Sequence, residues 1–351
     1  MTLLRELRNQ KVAHQGLPCV CNVLLPFLLP YWMAMRTVLV TGAAGFIGSH
    51  LVDALVARGE QVRALDNFAT GQAENLAGVR DRIEFTEASL LDREALAKAV
   101  DGVDVIFHLA ALPSVPRSVK DPRSSHVANI EGTFEVLEAA RASGVKRVVY
   151  AASSSAYGNQ PGFPRVETMI PMPIAPYPVQ KVAGEFYMKS YWQVFGIETV
   201  CLRYFNIFGP RQVPNSEYSG VMAKFILQLL QGEQPTIFGD GEQGRDFTYV
   251  ANAVQANLLA SEAPADKVAG QIFNVACGER HTLNETYRVI AELLQSKVEP
   301  VYGPERRGDV KDSLASIETA RQAFGYAPQV DFEEGLRRTV AWYREQHPAR
   351  A

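Results

Sequence analysis

The chain has 351 residues, 47% hydrophobic and 21% charged. That length suggests two domains, or one large domain with an added lobe, and the composition excludes collagen-like, coiled-coil and largely disordered chains. A net charge of −3 offers no general basic field for a phosphate backbone, so nucleic acid is not expected as a partner.

In chain order, the first 34 residues stand apart. Arg5, Arg8 and Lys11 precede an apolar stretch, 17–35, with the form of a signal or membrane anchor. Pro18, Pro26 and Pro30 each remove a backbone donor, and Asn22 would need a partner in lipid, which argues against a stable span. Met35-Arg36-Thr37-Val38-Leu39-Val40-Thr41-Gly42 reads as an amino terminus running straight into a strand. Residues 1–34 are therefore expected to lie outside the fold, a translated anchor being the rival reading. The four cysteines, Cys19, Cys21, Cys201 and Cys277, show no C-x-x-C spacing, so neither a disulfide framework nor a metal site is expected, and a reducing cytoplasm fits best.

From Thr37 short β-branched runs alternate with longer amphipathic ones. Strands are expected at 37–41, 61–66, 82–86, 103–110, 145–152 and 198–206, with helices at 47–57, 93–100, 129–143 and 177–195 between them. This is the pattern of an α/β fold, a doubly wound parallel sheet. Beyond Asn206 the alternation gives way to a Gly-, Pro- and Gln-rich region with helices at 221–231, 250–261, 283–295 and 332–346, read as a smaller mixed α/β lobe that binds substrate.

Gly42-Ala43-Ala44-Gly45-Phe46-Ile47-Gly48 follows the first strand and opens the first helix. Glycines there let the backbone approach a pyrophosphate, which the helix N-terminal amides and dipole then meet. Asp66 ends the second strand 18 residues after Gly48, where a carboxylate accepts the ribose hydroxyls of NAD and repels the 2′-phosphate of NADP. Tyr177 and Lys181 lie four apart at a helix start, on one face. The ammonium, together with a positive nicotinamide ring, would stabilise a tyrosinate, bring the phenol's pKa toward neutrality and make it a base for a sugar hydroxyl. Ser153-Ser154-Ser155 ends the fifth strand, the end at which ligands of doubly wound sheets bind.

The Gly-x-x-Gly-x-x-Gly spacing, Asp66-Asn67, His108-Leu109-Ala110-Ala111, the serine run before Tyr157-Gly158, Tyr177 with Lys181, and Arg203-Tyr204-Phe205-Asn206 occur in order. Together they resemble the extended branch of the short-chain dehydrogenase/reductase superfamily, and within it the UDP-sugar 4-epimerases, over essentially all of 35–351. The resemblance implies an NAD-binding Rossmann domain over 35–206 and a UDP-sugar-binding lobe over 207–351, their boundary interleaved. It implies Tyr177 as base, Lys181 as its electrostatic partner and ribose ligand, and Ser153 as the catalytic hydroxyl. The cofactor would meet Gly42, Gly45, Phe46, Ile47, Gly48, Asp66, Asn67, Leu90 and Ala110. Ser154 and Ser155 would line the sugar pocket, Asn206, Arg245 and Arg306 would hold the UDP phosphates, and Asp309 the uridine ribose. Asn129 would support the active-site helix, and His108 would pack in the sheet edge. A homodimer joined by the helices around Asn129 and Tyr177 is also implied.

Two departures stand out. Ser89 occupies the place of the usual acidic contact to the adenine amino group, and Pro178 follows Tyr177 where a small residue is usual, although in a first helical turn it costs no intrahelical donor. The implied reaction oxidises C4 of a UDP-hexose to a 4-keto sugar, which turns over and is reduced on its other face. Ser313 stands where a bulky residue would exclude an N-acetyl group, and Pro214-Asn215-Ser216-Glu217-Tyr218-Ser219-Gly220-Val221 resembles the subgroup acting on UDP-N-acetylglucosamine, so both that sugar and UDP-glucose are candidates. Dehydration is demoted because Ser154 and Ser155 replace an acid and base pair. Arg211 or Arg117 leaves open 4-epimerisation or decarboxylation of a UDP-uronate. An NAD-binding sensor without catalysis is the alternative of a different class.

Overall fold

The structure is a computed structural model that describes residues 35–213, 220–305 and 312–347. The expectations for residues 1–34 and 214–219, and for Arg306 and Asp309, lie outside the described residues.

Chain order is β1 (Thr37–Thr41), α1 (Phe46–Ala57), β2 (Gln61–Asp66), β3 (Glu84–Glu87), α2 (Arg93–Val100), β4 (Val105–His108), α3 (Val115–Lys120), α4 (Pro122–His126), α5 (Gly132–Ala142), β5 (Arg147–Ser153), α6 (Pro176–Phe195) and β6 (Glu198–Tyr204). There follow β7 (Ile207–Phe208), α7 (Val221–Leu230), β8 (Thr236–Phe238), β9 (Gly244–Arg245), β10 (Thr248–Tyr249), α8 (Val250–Glu262), α9 (Ala265–Val268) and β11 (Gln271–Val275). The last elements are β12 (His281–Thr282), α10 (Leu283–Leu294), β13 (Val301–Gly303), β14 (Asp312–Ser313), α11 (Glu318–Phe324) and α12 (Phe332–Gln346).

Seven strands form one parallel sheet in the order β11-β6-β5-β4-β1-β2-β3. Period-two alternation sends Val38 and Val40 to one face, where they meet Leu51 and Leu55 of α1 and Ala256 and Ala260 of α8. Leu39, Ile106 and Val148 face the other way, onto Leu96 of α2, Leu137 of α5 and Met188 of α6. Burial on both faces is what makes these strands read as continuous apolar runs. A separate cluster around Phe208, Phe225, Phe247, Phe332 and Tyr343 forms the core of the smaller lobe.

The sequence reading missed β11. Chain beyond residue 206 re-enters the main sheet there, pairing Phe273 with Leu202, and α8 packs on β5 and β6. The helix expected over 129–143 also starts earlier: α4 runs through a π turn, Val127–Glu131, into α5. That wider turn carries Asn129, which is buried. His108 lies not at an edge of the sheet but at the carboxyl end of β4, a central strand. It is fully buried between Thr41 Oγ1 at 2.8 Å and Thr133 Oγ1 at 3.0 Å, and burial with the Lys181 charge nearby pulls its imidazole down to about 3.

Candidate active site

The turn after β1 is built for close backbone approach. Gly42 adopts φ +70°, and a Cβ there would sit 2.7 Å from the Ala110 nitrogen. A Cβ on Gly48 would fall 2.1 Å from the Gly42 carbonyl oxygen, so only glycine lets α1 start this close to the strand. Beside the turn, Asp66 Oδ2 accepts from Ala44 N at 2.9 Å and Oδ1 from Phe68 N at 2.8 Å. Burial pushes the Asp66 carboxyl up while these amides oppose the shift. Together they fix a carboxylate that still has a lone pair on each oxygen for a ligand hydroxyl.

A cleft of about 1000 Å³ opens here, lined by Gly42, Gly45, Phe46, Ile47 and Gly48. Asp66, Asn67, Leu90 and Ala110 also line it, so the structure brings every residue expected at the cofactor together, and Ser89 lies on the same wall. Asn67 Oδ1 caps its own turn by accepting from Ala69 N at 3.1 Å. A glycine cradle at a helix N-terminus and a fixed carboxylate at the next strand end match the pyrophosphate and ribose of a dinucleotide.

Tyr177 and Lys181 line the same cleft. α6 begins at Pro176 with Ala175 as its cap, which puts Pro178 in the first turn. The backbone N–H of Tyr177, an orphan of that turn, donates to Ser118 Oγ at 3.0 Å, and Ser118 in turn donates to Val115 O at 2.7 Å. One turn deeper, Gln180 Oε1 accepts from Asn129 Nδ2 at 2.8 Å and Ser125 Oγ at 2.7 Å, while Asn129 also brackets both backbone groups of Leu112. Asn129 therefore does tie the helix to the rim of the cleft. Ser118, Ser125 and Gln180 were not singled out in the sequence, because no local pattern distinguishes a serine that meets a helix 59 residues away.

Lys181 is buried, donates to Ala151 O at 2.8 Å and lies 4.8 Å from the centre of the Tyr150 ring. Desolvation lowers its ammonium to about 8. Burial likewise raises the Tyr177 phenol to about 12, opposed by a hydrogen bond with Ser153. Burial thus favours the protonated phenol in the absence of further positive charge. Ser153 Oγ also contacts Ser155 Oγ at 2.8 Å and accepts from Ser155 N at 3.2 Å. None of Ser153, which ends β5, and Ser154 and Ser155, which open the short turn after it, is among the residues lining the two clefts.

A second cleft of about 470 Å³ is lined by Asn206, Lys224, Phe238, Arg245 and Phe247 among others. Asn206 takes a left-handed conformation, φ 39°, and donates to Asp246 O at 2.9 Å and Ser313 Oγ at 3.0 Å. Both its amide hydrogens are thus engaged, and contact with a phosphate requires Asn206 to exchange Ser313 for the ligand. β14 pairs with β9 so that Ser313 lies opposite Arg245, which brings Asn206, Arg245 and Ser313 together. Asp246, fully buried, accepts from the backbone nitrogens of Cys277, Gly278 and Ala315 and pins these loops. Burial carries its carboxyl up to about 7 against those three amides. Arg211, which lines the first cleft, is paired with Asp53 of α1 at 2.8 Å.

Residues 38–276 match the profile of the NAD dependent epimerase/dehydratase family. The chain is 41% identical over 316 residues to a UDP-glucose 4-epimerase of Mycolicibacterium smegmatis, covering 89% of this chain and 99% of that one. It superposes with a TM-score of 0.85 and 40% identity on a UDP-N-acetylglucosamine 4-epimerase from Methanobrevibacter ruminantium solved with UDP-N-acetylmuramic acid, over 90% and 100% of the two chains. A Thermus thermophilus UDP-glucose 4-epimerase in complex with NAD is similar at TM-score 0.80 and 38% identity, over 88% and 99%.

Proposed function

The chain belongs to the NAD dependent epimerase/dehydratase family, and on that premise we propose that it is an NAD-dependent 4-epimerase of a UDP-hexose. The observation that carries this reading is that Tyr177 and Lys181 both line the glycine-bordered cleft, with the Ser153 hydroxyl hydrogen-bonded to Tyr177. Gly42, Gly45 and Gly48 would hold the pyrophosphate of NAD, Asp66 the adenosine ribose, and Lys181 the nicotinamide ribose. When bound, NAD supplies the oxidising equivalent that takes up and returns the C4 hydrogen of the sugar with its electron pair.

Tyr177 removes the proton of the C4 hydroxyl as the 4-keto sugar forms, and Ser153 shares that proton through its hydrogen bond with Tyr177. Lys181 places a positive charge beneath the phenol and favours its ionised form. Asn206 and Arg245 retain the nucleotide while the keto sugar turns about its glycosyl-phosphate bonds, and Tyr177 then returns the proton on the opposite face. Arg306 and Asp309 complete the nucleotide site in this reading. Ser313 leaves space for an N-acetyl group, so UDP-N-acetylglucosamine and UDP-glucose are both substrates. Arg211 is already neutralised by Asp53, which weighs against recognition of a uronate carboxylate there.

The exposed side of α6 carries Val179, Phe186, Tyr187, Val194 and Phe195, next to Phe134 of α5. This apolar stripe supports a homodimer formed through these two helices, which light scattering tests directly. For the activity, proton NMR of the purified protein with each UDP-sugar follows the appearance of the C4 epimer. Formation of the galacto products supports the reading. Turnover of a UDP-uronate alone, or binding of NADH fluorescence without turnover of any sugar, would replace it with the uronate or the sensor function.

A further inference from the structure

The face of α6 that carries Tyr177 and Lys181 holds one more charged residue, Glu185, a further four positions along. Residues four apart stack on one helical face, and this face packs on β5 and β6. Arg203 of β6 grips the Glu185 carboxylate with two hydrogen bonds, Nε to Oε1 at 2.8 Å and a terminal nitrogen to Oε2 at 2.7 Å. The pair is 1% and 3% exposed. The same guanidinium lies 4.6 Å from the centre of the Tyr157 ring, and Tyr157 closes the turn that follows Ser153. The Tyr157 hydroxyl donates to Asn274 Oδ1 of β11 at 2.7 Å. Glu185, Arg203 and Tyr157 thereby connect the helix bearing Tyr177 and Lys181 to the turn that starts at Ser153.

A buried ion pair adds little net stability over apolar residues of equal volume, so stability alone does not account for its place. Charge does. The groups that act on the Lys181 ammonium are Glu185 on its own helix, His108 on β4, Tyr150 on β5 and Cys201 on β6, with Tyr177 one helical turn away and Arg203 held to Glu185. Burial keeps Tyr177, Tyr150 and Cys201 protonated and His108 neutral. Among the described residues around it, Glu185 is then the anion that offsets the cost of burying this ammonium.

We propose that Glu185, clamped by Arg203, is a positioning residue of the reaction, which keeps the Lys181 ammonium charged and holds the tyrosine helix against the serine turn. The proposal rests on the reading of Tyr177 and Lys181 as the reacting pair. Its test is the pH dependence of kcat and KM for the NAD-loaded enzyme with the UDP-sugar it turns over. Glu185→Gln is expected to move the alkaline limb of kcat down by about 0.5–1 pH unit. KM should stay within about twofold while kcat above the limb falls about 3- to 10-fold, the mark of an interaction used in the chemical step.

Glu185→Asp keeps the charge and should restore the limb. The double variant Glu185→Gln/Arg203→Gln folds without an unpaired buried guanidinium and should move the limb in the same direction as Glu185→Gln but by less, because the like charge of Arg203 leaves with the anion. A folded neutral variant with the parental alkaline limb overturns the proposal. So does failure of both neutral variants to fold, which is the outcome for a pair that serves structure alone. Tyr177→Phe separates the two ideas: full turnover in that variant removes the base assignment itself, whatever the limb does.

Discussion

Replacing Gly48 by alanine tests the cofactor cradle at its tightest point. The new Cβ would stand 2.1 Å from the Gly42 carbonyl oxygen and 2.9 Å from its carbon, against a closest tolerated approach of 3.0 Å. Both clashing atoms are backbone, and Gly42 is pinned by its own N–H to Leu65 O at 2.9 Å. Relief therefore requires the start of α1 to move by about 1 Å, although Leu51, Val52 and Leu55 bury that helix against the sheet. Overpacking of this kind costs about 1–3 kcal/mol. Because the same displacement moves the amides that would meet the pyrophosphate, NADH affinity should fall by about 100-fold, or about 2.7 kcal/mol.

Gly45→Ala is the matched control. Gly45 has φ −72° as the cap of α1, and its Cβ would meet only the Gly42 oxygen, at 3.1 Å. It should lose less than about 1 kcal/mol of stability while still obstructing the cleft it lines. Urea denaturation of the apoprotein and titration of NADH fluorescence read the two quantities separately. A Gly48→Ala protein with parental stability and parental NADH affinity would refute the close-packing argument.

If Asp66 selects a free ribose as proposed, Asp66→Ala should lower the ratio of NADH to NADPH affinity by about tenfold or more, and an unchanged ratio in parallel titrations would contradict that role. Lys181 carries a folded pKa near 8 against 10.5 for the free side chain. Between those values the unfolded chain binds more protons than the folded one, so the penalty for burying the ammonium, full below pH 8, is relieved as pH rises. The stability advantage of Lys181→Met over the parent should accordingly shrink across that window in urea midpoints. Ser313→Tyr adds bulk beside Asn206 and removes the 3.0 Å hydrogen bond between them. Turnover of UDP-N-acetylglucosamine should then drop about 10-fold or more relative to UDP-glucose, with equal losses for both sugars refuting the steric argument.

Helix and strand starts were legible where the signal is local. Thr37–Thr41, Gln61–Asp66, Arg93–Val100 and Phe332–Gln346 begin and end where periodicity, caps and glycines place them. The glycine turn, Asp66 and the Tyr177–Lys181 face were legible for the same reason, since each depends on spacing within one turn or one strand-to-helix connection. The serine run shows the limit: its place before Tyr157 matches a family pattern, yet none of Ser153, Ser154 and Ser155 is among the residues lining the described clefts.

By itself, then, the sequence determined the parallel alternation, the glycine turn and the helix bearing Tyr177 and Lys181, because backbone geometry converts short-range patterns into faces and turns. Tertiary structure alone decided that β11 completes the sheet, that His108 sits in its centre, and that Asn206 meets Ser313 across 107 residues. It also decided that Glu185 is gripped by Arg203 from the next strand. Such contacts join segments whose separation along the chain bears no fixed relation to their distance in space. The packing of the sheet, both its faces and the lobe supplies that relation, and no local period encodes it.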